Sequence, residues 1–580
     1  MLQIHEFKET LLNHRIQSSG PIPTILDSEG VYPYESYVET AERPDLKEYQ
    51  MVVMENRFIS IKVCPDLGGK VYSITDKKSG REVLYDSGAV RPVRILPRMA
   101  FISGGIEVSF PISHTPVQIE QVQYKWEQID NRLYLWCGER EISSGMHWTV
   151  EYSIGESDAF LTQRALFYNS TSKKQPWMSW SNAAVPARED SLLHFPKGQV
   201  LCHSDQLTTI QWDSEKYGLL KQHDRMSGYF WEKPECNAFG VYTPSLGCGL
   251  YHIADSKQVP GIKLWTYGIG RDERWAHVSS LGENSYIEIQ AGPIVDQSIK
   301  EELEPGEHHV HTEYWIPSAV PLTIEEIDLP QVQLIPPNVI PQFEWIERRK
   351  VTPWMNLLQV YESQNKNDIP PAPSLVENIW PPSGMEDLGD ALNWAISVTE
   401  NEENEVWRYY FGVWQAGTGQ FEKALEVLKN VSIDWARLVE ARILIHAHNS
   451  CQEAVKTLKQ IKSVSLSLHP QVVIERDIAL SHLGEIALAE RKMWLDQVAS
   501  LEDEELIERK ISLLYDSGQY EEAHELLESR SFSLVHQRYE RSKLWLDLQK
   551  KLGKKIDKEF PGSLGEDRLA AFGQYRVFEG

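Results

Sequence analysis

Four alanines in the last third of this 580-residue chain recur at nearly even intervals, and no other feature constrains the fold as tightly. Ala424, Ala454, Ala489 and Ala523 are spaced by 454 − 424 = 30, 489 − 454 = 35 and 523 − 489 = 34 residues. Two of them sit in near copies, Gly419-Gln-Phe-Glu-Lys-Ala-Leu-Glu-Val-Leu and Gly518-Gln-Tyr-Glu-Glu-Ala-His-Glu-Leu-Leu. Weaker copies are Cys451-Gln-Glu-Ala-Val-Lys-Thr-Leu and Gly484-Glu-Ile-Ala-Leu-Ala-Glu. A period of this length marks stacked helix pairs, because one pair cannot bury its apolar face alone. The small residue lets paired helices approach, while the aromatic and leucine side chains fill the seam between repeats. Residues 386–580 are therefore predicted to form a helical repeat domain.

Residues 1–324 follow another period. Runs such as Arg57-Phe-Ile-Ser-Ile-Lys-Val, Leu133-Tyr-Leu-Trp-Cys and Tyr286-Ile-Glu-Ile-Gln alternate, or carry β-branched and aromatic residues. Turn signals such as Asp66-Leu-Gly-Gly, Lys78-Ser-Gly and Pro305-Gly separate them. No amphipathic helix recurs between these strands, which excludes a βαβ sheet and predicts one large antiparallel sandwich. Between the two halves, residues 325–385 are rich in proline (Ile335-Pro-Pro, Ile369-Pro-Pro-Ala-Pro, Trp380-Pro-Pro). Proline removes donors and fixes extended backbone, so this stretch reads as a semi-rigid linker laid over a surface.

Lys and Arg number 58 and Asp and Glu 84, a net charge of −26 that repels phosphate backbones and anionic membranes. Neither nucleic acid nor a membrane is expected as a partner. No basic start with an apolar run opens the chain and no stretch approaches a membrane span, so a cytoplasmic protein is expected. Cys64, Cys137, Cys202, Cys236, Cys248 and Cys451 are scattered, which predicts buried thiols rather than disulfides or a zinc site.

Several segments could carry chemistry. Ile102-Ser-Gly-Gly-Ile-Glu-Val places Glu107 in an apolar strand after a Gly-Gly bend, where a carboxylate is costly unless paired or functional. Asn284-Ser-Tyr-Ile-Glu-Ile-Gln sets Glu288 and Gln290 on one strand face, since side chains repeat every two residues. Trp177-Met-Ser-Trp-Ser-Asn aligns Trp180 with Asn182, an aromatic platform beside an amide that suits a sugar or a plain core strand. Lys263-Leu-Trp-Thr-Tyr-Gly-Ile-Gly-Arg-Asp-Glu-Arg-Trp gathers Trp265, Tyr267, Arg271 and Trp275 around two glycines, without the third glycine or the βαβ setting of a dinucleotide fingerprint. His309, His311 and Glu313 share a strand face but lack a partner cluster, so hydrogen bonding is expected there, with no metal and no cofactor.

The series Glu55-Asn-Arg-Phe-Ile-Ser-Ile-Lys-Val-Cys-Pro-Asp-Leu-Gly-Gly-Lys-Val-Tyr-Ser-Ile resembles the opening of the DUF5107 family, a carbohydrate-associated group with a galactose-mutarotase-like fold. The likeness continues through Ser103-Gly-Gly-Ile-Glu-Val-Ser-Phe-Pro, Trp180-Ser-Asn-Ala-Ala-Val-Pro, Ile287-Glu-Ile-Gln-Ala-Gly-Pro and Glu313-Tyr-Trp-Ile-Pro, covering roughly residues 45–320. The downstream repeat resembles the tetratricopeptide repeat. Together these imply a galactose-mutarotase-like antiparallel β-supersandwich with a sugar cleft, followed by a C-terminal helical solenoid.

In aldose mutarotases a Leu-Glu-Thr-Gln-like strand supplies the catalytic base, and Ile287-Glu-Ile-Gln looks like its counterpart, with Glu288 in that role. The mutarotase acid is a histidine in an Asn-His-x-Tyr-Phe-Asn segment, and the matching strand here, Trp180-Ser-Asn-Ala, has none. Glu107 is an alternative acid, and two carboxylates across a sugar are what glycosidic cleavage needs. The leading expectation is a glycoside hydrolase acting on an oligosaccharide through Glu107 and Glu288. His114, Asn182, Arg271 and Gln290 would hold hydroxyls, and Trp180, Trp265 or Trp275 would stack on sugar rings. An aldose 1-epimerase with Glu288 as base is the alternative. A third reading is a sugar-binding scaffold whose repeats recruit a protein partner or a second copy of the chain.

Overall fold

The computed structural model describes all residues except 1, 19, 28–30, 36, 94–99, 204–206, 224–225, 235, 237, 268–278, 282–284, 296–298, 500, 531, 533–537 and 556–580. The chain divides into two compact units. The first gathers Met1–Gln17 with Glu39–Ile346, and the second gathers Ser18–Val38 with Glu347–Glu566.

The first unit is the sandwich that the alternating segments predict. Its larger sheet has twelve strands among the described residues. Eleven of these are β1 (Gln3–Asn13), β2 (Asp45–Glu55), β3 (Ile59–Cys64), β4 (Lys70–Asp76), β5 (Ile106–Val108), β6 (Ser181–Pro186), β7 (Gly198–His203), β8 (Leu207–Trp212), β9 (Met226–Trp231), β10 (Gly261–Tyr267) and β11 (Tyr286–Gly292). They lie in the order β1-β2-β3-β4-β5-β6-β11-β10-β9-β7-β8, with neighbours antiparallel, and Arg81–Glu82 pairs with β4 off this path. A second sheet of eight strands runs from Leu192–His194 at one edge to Gln123–Ile129 at the other.

Alternation decides which face meets the second sheet. Ser181 of β6 donates to Glu313 and accepts from Gln163, both in the eight-stranded sheet. The residues of its parity, Ala183 and Val185, and their partners Ile287 and Ile289, are buried with it. The other parity carries Glu107, Asn182, Glu288 and Gln290, which are nevertheless buried as well. Both faces of the middle strands are thus covered, and the polar row is a buried floor rather than a wet outer surface.

The proline-rich stretch changes company at residue 346. Its first part lies along the eight-stranded sheet, where Thr149 donates to the Pro341 carbonyl at 2.8 Å and His147 Nδ1 sits 2.8 Å from the Phe343 carbonyl. Ile340 and Phe343 pack there against Tyr134, Trp136 and Leu166. Its later part includes a helix, α1 (Thr352–Ser363), begun by Pro353 at a position where a missing N–H costs nothing.

The second unit continues as α2 (Leu388–Val398), α3 (Asn401–Gly417), α4 (Phe421–Leu428), α5 (Asp434–Arg442), α6 (Cys451–Leu458), α7 (Pro470–Ser481), α8 (Leu488–Gln497), α9 (Glu504–Asp516), α10 (Tyr520–Glu528) and α11 (Arg538–Lys551). Ala424, Ala454 and Ala523 are completely buried, as the tetratricopeptide-like pattern requires. Ala489 is not: a 3-10 turn over Gly484–Ala487 delays the start of α8 and rotates the register, so Ala487 is buried and Ala489 is exposed. The six cysteines are free thiols, five of them buried. No helix among the described residues is long and apolar enough to cross a membrane.

Candidate active site

Glu107, Asn182, Gln290 and Lys263 stand side by side on β5, β6, β11 and β10, each the direct cross-strand partner of the next. Two residues along, Ala184, Glu288 and Trp265 form a parallel row. Directly paired residues share a sheet face, so pairing alone assembles four segments that are far apart in sequence. The local backbone follows from Gly104 and Gly105, which take φ of +89° and +72°; a side chain on Gly105 would place its Cβ 2.3 Å from the Val71 carbonyl oxygen. Only glycine permits this approach of the bend to β4.

Glu107 is 4% exposed and fully engaged. Its Oε1 accepts the Thr115 N–H at 2.5 Å, and its Oε2 lies 2.6 Å from His114 Nδ1 and 3.3 Å from Asn182 Nδ2. A carboxylate only accepts, so His114 carries a proton on Nδ1 and turns Nε2 away. Burial pushes the Glu107 carboxyl up, but the charge and hydrogen bond of His114, the Thr115 N–H and the Lys70 ammonium outweigh it and hold the group below the ordinary carboxylate range.

Glu288 has the opposite setting. It accepts from the Tyr267 hydroxyl at 3.0 Å and from Gln290 Nε2 at 2.8 Å. Burial dominates and raises its pKa; His114, Lys263 and the Tyr267 hydroxyl pull it down, and the Glu107 charge adds to the rise. The two glutamates' Cα atoms stand two strands and two residues apart, about 12 Å by ordinary sheet spacings. His114 acts electrostatically on both carboxyls, and so does Lys70.

The amide orientations are fixed by these contacts. Because Asn182 and Gln290 give their NH₂ groups to carboxylates, their carbonyl oxygens point elsewhere, and both are buried without a hydrogen-bond partner among the described residues. A buried acceptor left unpaired is costly unless a ligand hydroxyl supplies the proton.

The aromatic residues separate. Trp180 is completely buried, its ring seated where Gly261 and Gly292 leave room on the strands beside it. It cannot offer a face to a sugar. Instead it lines one side of Lys263, whose ammonium stands 5.8, 4.9 and 5.3 Å from the rings of Trp180, Phe230 and Trp265. Trp265 is partly exposed and lies over Gly228, so it keeps a ring edge on the site. Arg271 and Trp275 lie outside the described residues.

Lys70 and Lys263 are functional candidates that the motif search passes over. Lys70, 4% exposed, donates to the Ile102 carbonyl at 3.1 Å, and burial lowers its pKa to about 8 against the opposing pull of Glu107 and Glu288. Its signal was a lysine directly after Gly68-Gly69 at the start of a strand, followed by Val71 and Tyr72. His309, His311 and Glu313 do share a face, with His309 Nε2 3.2 Å from His311 Nδ1, and Glu313 accepts from Gln163 at 2.7 Å. No group of three metal-ligating side chains with metal-site geometry occurs among the described residues.

Known proteins match both units. The profile of a domain of unknown function, DUF5107, matches residues 26–318, and that of a C-terminal domain matches residues 354–548. A TPR-domain containing protein from Parabacteroides distasonis ATCC 8503 is 46% identical over 98% of both chains, with a TM-score of 0.94. A galactose mutarotase-like protein from Clostridium acetobutylicum is 11% identical, covering 47% of this chain and 95% of its own, with a TM-score of 0.36. A putative aldose 1-epimerase from Escherichia coli K12 is likewise 11% identical, covering 46% and 98%, with a TM-score of 0.33. With half of its length under one family profile and a relative matched from end to end, the chain belongs to the DUF5107 family.

Proposed function

We propose that the sandwich unit is a carbohydrate-active enzyme that performs acid–base chemistry at an anomeric carbon, with aldose 1-epimerisation as its reaction. The observation that carries this reading is a histidine hydrogen-bonded to one buried carboxyl and acting electrostatically on a second of opposite tendency on the same sheet face. Glu288, whose raised pKa makes its carboxylate a stronger base, takes the proton of the anomeric hydroxyl. His114, with Nδ1–H anchored on ionised Glu107, gives the Nε2 proton to the ring oxygen as the C1–O5 bond breaks. The open-chain aldehyde turns about C1–C2, and the ring closes on the other face as O5 attacks C1, with His114 Nε2 taking the O5 proton back and Glu288 returning its proton to O1. Glu107 is a positioning residue here, fixing the orientation of the His114 ring through the bond to Nδ1.

Glycosidic cleavage is the second reading, favoured by one observation. A buried glutamate whose pKa is raised is also what protonates a leaving oxygen. Polarimetry on freshly dissolved single anomers of several aldoses, beside a panel of aryl glycosides, separates the two. Accelerated mutarotation without aglycone release supports epimerisation, aglycone release supports the hydrolase, and neither, with Glu288→Gln indistinguishable from the parent in both assays, removes the enzyme reading.

A further inference from the structure

Residues 18–38 interrupt the sandwich between β1 and β2, yet they belong to the helical unit. There they meet the first helix of three successive helix pairs. At the end of α3, Gly417 lies against the Tyr32 ring so closely that a Cβ would come within 2.1 Å of it. On α5, Arg442 Nη1 donates to the carbonyls of Pro23 at 2.9 Å and Ile25 at 3.4 Å, while Glu475 on α7 holds its Nε at 2.8 Å. At the start of α7, the His469 ring lies against Gly20. Outside the helices, the Tyr32 hydroxyl donates to the Pro381 carbonyl at 2.6 Å, and Lys350 pairs with Glu35 at 2.8 Å. Ile22, Ile25 and Tyr34 are at most 4% exposed.

The segment has the features of a bound peptide rather than a repeat element. Its described residues include no helix, it is punctuated by Pro21, Pro23 and Pro33, and its backbone carbonyls are read by a buried arginine. Stacked repeats create an extended binding surface, and this one segment reaches the corresponding helix of three successive pairs. We propose that the faces of α3, α5 and α7 form a peptide-binding slot whose resident ligand is the chain's own residues 20–27 and 31–35. The repeats are thereby engaged in cis, and a proline-punctuated peptide from another molecule enters only by displacing this segment.

A labelled synthetic peptide of residues 18–38 tests this on the full-length protein. The parent chain should show no saturable binding in fluorescence anisotropy. The double change Ile22→Asp and Ile25→Asp, which leaves the slot intact but loosens its occupant, should open binding of the parental peptide. Adding Arg442→Ala should weaken that binding at least about tenfold. Saturable binding to the parent chain equal to that of the variant, or none to a variant with parental helix content, overturns the proposal. Hydrogen exchange on the parent chain provides a test that no variant can spoil by misfolding. Amides of residues 20–35 should open independently of, and faster than, those of α3, α5 and α7, and exchange only together with those helices contradicts a ligand.

Discussion

Both units bury charge, and they treat it in opposite ways. In the helical unit the charges around Glu475 and Asp477 close on one another. Glu475 meets Arg442 and His446 at 2.8 Å each, and Asp477 meets Arg491 at 2.8 Å and Arg509 at 2.6 Å. Burial raises the Glu475 carboxyl, but Arg442 and His446 more than offset it, so the ionised form is favoured; Arg491 is held charged by Asp477 and Asp516 in the same way. On the sheet face Glu107 is held ionised, but burial prevails at its neighbours: Glu288 is pushed up and Lys70 down to about 8, and two amide oxygens have no partner among the described residues. The first arrangement completes itself. The second is completed only by something that brings protons and acceptors of its own, which separates a structural ion-pair cluster from a reaction site.

Changes that exchange these roles test the distinction. Glu288→Gln should lower turnover by about 10²–10⁴-fold while leaving the melting temperature equal or higher, since a disfavoured buried charge disappears. A melt lowered by several degrees would class Glu288 with the structural pairs. Asp477→Ala should do the reverse, costing about 3–5 kcal/mol in denaturant unfolding by removing the Arg509 partner and leaving buried Arg491 with Asp516 for its charge partner, with activity per folded molecule unchanged. A loss below about 1 kcal/mol would show that the helical cluster is not closed.

Lys70 yields a smaller effect with a definite sign. Its folded pKa of about 8 lies below the ordinary 10.5, so the unfolded chain binds more protons between those values and stability rises with pH across that window. Lys70→Met should abolish the rise, as read from melts at pH 7.5 to 10.5. Glu475 gives the mirror case. Its folded pKa lies below 4.5, so its contribution is present above that pH and is lost as pH falls through the folded value. Glu475→Gln should flatten the acid limb of the unfolding profile, the smallest of these changes.

Periods of two and of about thirty-four residues were legible because they are local, and they disclosed both units. Glu288 and Gln290 were paired by strand parity alone. The row from Glu107 to Lys263 was not legible as a row, because register joins Glu107 to Asn182 across 182 − 107 = 75 residues and Asn182 to Gln290 across 290 − 182 = 108. Trp180 reads as a platform in one dimension, and only the glycines opposite it on two other strands bury the ring. Ala489 fits the repeat by count, but the extra turn before α8 is a matter of backbone geometry. The segment 18–38 carries no period, so its place among helices had no local signal.

That segment also sets an order of events during synthesis. Arg442 is made 419 residues after Pro23, whose carbonyl it binds. While the intervening chain is still being added, Ile22, Ile25 and Tyr34 have no helices to cover them, although the sheet strands on either side are already available to pair. The N-terminal apolar loop therefore remains open to chaperones and proteases until the third helix pair has emerged, and the last domain made protects one of the first segments made.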